Sequence, residues 1–155
     1  LGSIQSPQNA FYLNLGLESL HVRMPRHCEN ALAVARFLEK HKNVAWINYP
    51  GLESNKYHAL AKKYMPTGTS GVMSFGIRGG REAAVKFMDG LKLATIETHV
   101  ADSRTCLLHP ASTTHRQLTD EQLIACGVSP DMVRLSVGIE NAEDIIADIS
   151  QALEA

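Results

Sequence analysis

The 155-residue chain is poor in several things at once, and each shortage narrows what it can be. Its cysteines, Cys28, Cys106 and Cys126, are odd in number and far apart, so they do not write a disulfide framework; that usage fits a reducing cytoplasm. Neither sign of charge is in surplus. Fifteen Lys and Arg against 16 Asp and Glu leave a formal net charge of −1, which argues for neither a nucleic acid nor an acidic membrane as partner. No apolar run approaches a transmembrane length, and there is no signal-like segment. Internal repeats, low-complexity tracts and flexible linkers are missing too. What remains, 45% hydrophobic and 20% charged residues, is the composition of one globular domain with a real core. The chain opens on Leu1 in a polar, Ser-containing lead rather than on Met, and this reads as a piece of something longer.

The patterns that are present alternate between helix and strand. A helical run starts near Asn9, with Phe11, Leu15 and Leu17 to Leu20 as its apolar side. Pro25 should kink or break it. It resumes through Cys28, Ala31, Leu32, Ala35 and Leu38 and ends between Lys40 and Asn43. Val44 to Ile47 reads as a short strand, with Trp46 in the core, and Tyr49-Pro50-Gly51-Leu52 as a turn. Ser54 is placed to cap a short helix whose Tyr57, Leu60, Ala61 and Tyr64 share a face. Gly71 to Gly76 is a strand that points Met73, Phe75 and Ile77 to one side. A helix after Gly79-Gly80 carries Ala84, Phe87, Met88 and Leu91, and Gly90 sits where a left-handed cap would want it. Leu93 to Asp102 is loop with a short strand, and Arg104 to Leu108 is a strand. Ala111 to Leu118 is a polar loop, after which Thr119 and Gln122 form a capping box. Asn141 caps a last helix with Ile145, Ile146, Ile149 and Leu153 as its stripe. The expected fold is α/β (α+β): a small mixed, largely antiparallel sheet with helices on one face, preceded by a long kinked helix over residues 1–40.

Few residues stand out as chemistry. In Val133-Arg134-Leu135-Ser136-Val137-Gly138-Ile139-Glu140, period two puts Val133, Leu135 and Val137 on one face and Arg134 and Ser136 on the other. Arg134 is thus either a solvated surface charge or an anion clamp, since its planar fork takes both oxygens of a carboxylate. His99, Cys106, His109 and His115 match no standard zinc spacing, so no metal is expected. Cys106 with a histidine lacks a third orienting group and makes a weak nucleophile pair. Gly68-Thr69-Ser70-Gly71 follows a helix and precedes a strand, the reverse of a phosphate loop. Lys62, Lys63 and Arg78 read as solvated charges.

Longer motifs carry more. Ser6-Pro7-x-Asn9-Ala10-Phe11, Gly16-Leu17-Glu18-Ser19-Leu20, Arg23-Met24-x-Arg26-His27-Cys28-Glu29-Asn30-Ala31, Tyr49-Pro50-Gly51-Leu52, His109-Pro110-Ala111-Ser112-Thr113-Thr114-His115 and the Val133–Glu140 stretch together resemble the C-terminal domain of the Cys/Met-metabolism family of pyridoxal-phosphate enzymes, of fold type I. Arg26 to Ala31, Phe75-Gly76-Ile77-Arg78-Gly79-Gly80 and Ser112 to Leu118 look most like its O-acetylhomoserine sulfhydrylase branch. The methionine γ-lyase and cystathionine γ-synthase branches are less close.

The resemblance implies a division of labour. Pyridoxal 5'-phosphate would be held as a Schiff base by a lysine of an upstream domain, in a Ser-x-x-Lys context that no lysine here matches. Residues 1–40 would join that domain, and residues 41–155 would form the small C-terminal domain. By itself this chain would hold no cofactor and no catalytic residue. Its share would be the substrate: Arg134 on the α-carboxylate, Thr105 contacting the same group through its hydroxyl, and Arg104 reading the distal end. The family commonly has Asn-Val-Gly-Asp where this chain has His99-Val100-Ala101-Asp102, a change expected near the site. The activity implied is homocysteine formation from O-acetylhomoserine and sulfide, in a cytoplasmic homotetramer. The alternatives are a γ-lyase, a cystathionine synthase, or a free-standing binding module.

Overall fold

A computed structural model describes residues 2–155; Leu1, on which the reading of a longer parent rests, lies outside them. Alternating apolar side chains generate β1 (Val44–Asn48), β2 (Val72–Ile77), β3 (Thr95–Ile96), β4 (Cys106–Leu108) and β5 (Met132–Ser136). They form one sheet in the order β1-β2-β5-β4-β3. Every pairing is antiparallel except β3 with β4. β5 is therefore central, not an edge, and Val133 and Leu135 are fully buried in it.

The α-helices among the described residues are α1 (Pro7–Glu18), α2 (Leu20–Lys40), α3 (His58–Tyr64), α4 (Gly80–Gly90), α5 (Asp120–Ala125) and α6 (Ala142–Glu154). α2, α4 and α6 cover one sheet face. Ala31, Val34 and Leu38 from α2, Ala84 and Phe87 from α4, and Ile145 and Ile149 from α6 pack with Met73, Phe75, Leu107, Val133 and Leu135. Phe75 and Phe87 meet edge-on with ring centroids 5.9 Å apart. Each fully buried Val, Leu, Ile, Phe or Met among them contributes about 1.5–3 kcal/mol, so this layer dominates the stability of the unit. The expected small, largely antiparallel sheet with helices on one face is what forms.

Local caps follow the sequence where the partner is close along the chain. Thr119 and Gln122 make the reciprocal capping box of α5, and Asn141 accepts the Glu143 N–H at the start of α6. Asp148 of α6 is buried and accepts the backbone N–H groups of Lys92, Leu93 and Ala94 at 2.8–3.0 Å. One carboxylate thus ties the chain beyond α4 to α6.

Six expectations are corrected. The helical run breaks at Ser19, not Pro25. Pro25 sits close enough to the start of α2 that the carbonyl it disturbs, that of His21, lies in the first turn, while Arg23 bridges the break by donating to Gly16 O and Ser19 Oγ. Ser54 does not cap α3; its hydroxyl bonds Glu39 of α2, and Tyr57 occupies the cap position. Tyr57, Leu60 and Tyr64 are exposed and only Ala61 of that set is buried. Gly90 has no left-handed backbone. A Cβ there would sit 3.4 Å from Ala152, so its smallness serves the approach of α4 to α6. Trp46 is half-buried, held outside the core by its Nε1 donating to Asp131 at 2.9 Å. α1 buries none of its residues: Phe11, Leu15 and Leu17, expected as an apolar side, are all more than half exposed.

Candidate active-site face

The motif residues of α2 explain why the end of β5 is so well fixed. Asn30 is buried and donates through Nδ2 to the carbonyls of Gly138 (3.0 Å) and Glu140 (2.8 Å). Arg26 adds a bond to Glu140 O, and His27 Nδ1 lies 2.7 Å from Val137 O, which makes Nδ1 the protonated nitrogen. From below, a Cβ on Gly138 would come within 2.5 Å of Ser103 O and 2.6 Å of the Arg104 carbonyl carbon. Only glycine lets the 103–104 backbone pass that close.

Arg134 leaves β5 on the face opposite the helices, in the cross-strand row Ser74–Arg134–Leu108. It is half-buried. Its Nη2 donates to Thr98 O at 2.7 Å and His99 O at 3.4 Å. Its Nε is buried with no partner, and among the described residues no carboxylate lies within 4.0 Å of the guanidinium. A buried donor left unbonded costs about 1–3 kcal/mol. An anion arriving at Arg134 would meet a positive charge that no carboxylate of the described residues neutralises. Beside it opens a cleft of about 590 Å³, lined by Tyr57, Met73, Ser74, Leu108, Thr114, His115 and Met132 among others. One cation against a largely apolar wall suits an amino acid with a carboxylate at one end and a less polar chain at the other. A wider groove of about 1160 Å³ between α2 and α3 is lined by charges of both signs, including Glu29, Arg36, Glu39 and Lys62, and offers no comparable idle cation.

The other expected site residues lie elsewhere. Thr105 is fully buried; its hydroxyl donates to Glu140 Oε2 and accepts the Gly138 N–H, both at 2.9 Å, and its own N–H goes to Glu140 Oε1 at 2.6 Å. A hydroxyl so occupied has no donor for a substrate, so direct contact through Thr105 does not fit this geometry. Arg104 is exposed and paired with Glu97 and Asp102 at 3.4 Å each. The Arg104 backbone N–H and then its guanidinium hold the Asp102 carboxyl below the usual carboxylate range. Neither residue bonds Arg134. What does is the backbone of Thr98 and His99, which sequence reasoning did not connect to it. The only sequence signal was the 99–102 segment, unusual for the resemblance. There Ala101 takes a left-handed backbone, φ +59°, so Ala keeps the conformation glycine would give.

His99, Cys106, His109 and His115 do not converge on a common point. Cys106 Sγ bonds His99 O at 3.3 Å, both ring nitrogens of His109 are engaged by Ser112 and Pro130, and His115 faces Thr114. His99 Nδ1 instead pairs with Glu97 at 2.7 Å. Every lysine is exposed, and none lines the cleft beside Arg134. These residues therefore do not fit a Schiff-base cofactor; what they offer is one cation, Arg134, beside a largely apolar cleft.

With the geometry in place, comparison with known proteins adds the rest. The family model described as Cys/Met metabolism PLP-dependent enzyme matches residues 1–154. Homocysteine synthase of Schizosaccharomyces pombe is 50% identical over 99% of this chain and 36% of its own length. O-acetyl-L-homoserine sulfhydrylase of Leptospira meyeri is 49% identical over 99% of this chain and 35% of its own. A crystal structure from Campylobacter jejuni, named as a candidate O-acetylhomoserine (thiol)-lyase and holding N'-pyridoxyl-lysine-5'-monophosphate, superposes with a TM-score of 0.91 at 43% identity, covering 99% of this chain and 37% of that one. The chain spans about a third of the length of the curated relatives it matches.

Proposed function

The chain belongs to the Cys/Met metabolism PLP-dependent enzyme family, and from that premise we propose that it is the substrate-carboxylate-binding part of an O-acetylhomoserine sulfhydrylase, which makes homocysteine from O-acetylhomoserine and sulfide. The observation that carries this reading is Arg134, half-buried, anchored through Nη2 and idle at Nε. Pyridoxal phosphate and its lysine belong to residues outside 2–155. This chain's own task is to bind and orient. The fixed guanidinium takes the α-carboxylate in two bonds, and the Thr98 and His99 carbonyls stop it from turning away. The 590 Å³ cleft receives the rest of the substrate. Thr105 acts at one remove, holding Glu140 and the Gly138 turn beneath β5, and Arg104 stiffens the 97–102 loop. The reading includes a cytoplasmic homotetramer, with residues 1–40 joining the cofactor domain; the bare apolar surface of α1 supports that junction. Among the described residues no helix is long and apolar enough to cross a membrane.

The test is steady-state kinetics of a full-length protein carrying this chain. Homocysteine should form from O-acetylhomoserine and sulfide. Arg134→Lys keeps the charge but loses the two-pronged geometry, so kcat/KM for the amino-acid substrate should fall about 100- to 1000-fold. Near-normal kinetics in that variant would sink the assignment. Release of 2-ketobutyrate without sulfide would move the protein to the γ-lyase branch, and cystathionine formation with cysteine would move it to the synthase branch.

A further inference from the structure

Arg134 and Ser136 share the polar side of β5, but they differ in burial: Ser136 is 1% exposed. Its Oγ accepts the backbone N–H of Ala101 at 3.0 Å. Ala101 holds a left-handed backbone, φ +59°, which a residue with a Cβ disfavours. Two and three residues earlier, the carbonyls of His99 and Thr98 take Nη2 of Arg134. Cys106 stands opposite Ser136 across the β4–β5 ladder and donates its thiol proton to His99 O at 3.3 Å. Burial pushes the Cys106 thiol up, so the proton that this bond needs stays in place at neutral pH.

From this chain of contacts we propose that Ser136 is a positioning residue for substrate-carboxylate binding, holding the 98–101 loop that in turn aims Arg134. The inference rests on the reading of Arg134 as the carboxylate grip. The sheet fastens the loop at two points, Ala101 through Ser136 and His99 through Cys106, and the loop fastens the guanidinium. Without the Ser136 bond the strained Ala101 loses its hydrogen bond to the sheet. The loop relaxes, the two carbonyls leave Nη2, and Arg134 regains the rotamer freedom of a long side chain. Its guanidinium is then no longer presented in one fixed orientation.

The experiment uses full-length enzyme and two competitive inhibitors that differ only in the α-carboxylate, norleucine and pentylamine. The ratio of their inhibition constants measures selectivity for the carboxylate. Arg134→Ala should collapse that ratio. Ser136→Ala should lower it about tenfold, the worth of one hydrogen bond relayed to the clamp. Adding Ala101→Gly, which allows the left-handed backbone without strain, should recover most of the loss. A role in folding alone would lower Tm and leave the ratio where it was. If Ser136→Ala keeps the wild-type ratio while Arg134→Ala collapses it, the positioning role is wrong and the Arg134 reading stands. If Arg134→Ala itself keeps the ratio, the carboxylate grip falls and the positioning role with it. Should Ser136→Ala not fold, Cys106→Ala removes the His99 fastening together with the thiol's contact with Ser136. A loss of about threefold in the ratio then supports the proposal, and an unchanged ratio overturns it.

Discussion

Val133, Leu135 and Val137 point from β5 into the helix layer and are fully buried, while Arg134, between the first two, points the other way with unused donors. One strand thus serves two purposes at alternate positions. The apolar set is satisfied by α2, α4 and α6, so its worth is stability. The polar set is left partly unsatisfied by the chain itself, so its worth lies in something that binds. A period of two keeps these purposes on separate sides, and substitutions on the two sides should separate in what they damage.

The widest separation is expected at Arg134. Arg134→Lys should lower kcat/KM of the full-length enzyme by two to three orders of magnitude, about 3–4 kcal/mol, yet barely move Tm, because no carboxylate among the described residues pairs with the guanidinium. One residue on, Leu135→Ala should do the reverse. It leaves a cavity under α2, α4 and α6 and should cost about 3 kcal/mol in urea denaturation, while the folded fraction keeps its norleucine-to-pentylamine ratio. If Leu135→Ala spoils that ratio at full folding, the two faces are not independent.

Asp148 shows that a polar group can also belong to the stability side. It lies buried behind the sheet and answers three backbone N–H groups at once. Asp148→Ala would strand all three, and we expect a loss of about 2–3 kcal/mol, read as a drop in Tm with the inhibitor ratio intact. The sequence marks it only as an acidic residue near the stripe of α6, since its partners are 54–56 positions away.

That distance is the general reason some features could be read from the sequence and others could not. Thr119 with Gln122 and Asn141 with Glu143 are local pairs, and both caps form where the sequence puts them. Ser54 looked equally like a cap, but a hydroxyl 15 residues from Glu39 bonds across space instead. Pro25 looked like a breaker, but its position near the start of α2 spares the helix. The break falls at Ser19, where Arg23 can reach both sides. α1 carries Phe11, Tyr12, Leu13, Leu15 and Leu17 around its circumference, so its pattern promised helix but could not say against what. At the site, alternation alone put Arg134 opposite the core. Its anchors, Thr98 and His99, are 36 and 35 positions away, and no spacing rule joins them. Thr105 had the right chemistry for a carboxylate, but its hydroxyl is spent on Glu140 and Gly138.

The smallest effect we expect lies on the polar side and has the opposite sign. Ala101 is held left-handed by Ser136 although its Cβ disfavours that backbone. Ala101→Gly removes a steric cost of about 1–2 kcal/mol. It also frees the unfolded chain, which takes back part of that gain. The balance should leave the variant more stable by about 0.5–1 kcal/mol, measured as a higher urea midpoint at unchanged m-value. A loss of stability would mean that the left-handed backbone carries no strain. Ser136 would then be bonding a loop that already rests where it is, and the polar face would depend less on its hydroxyl than the geometry implies.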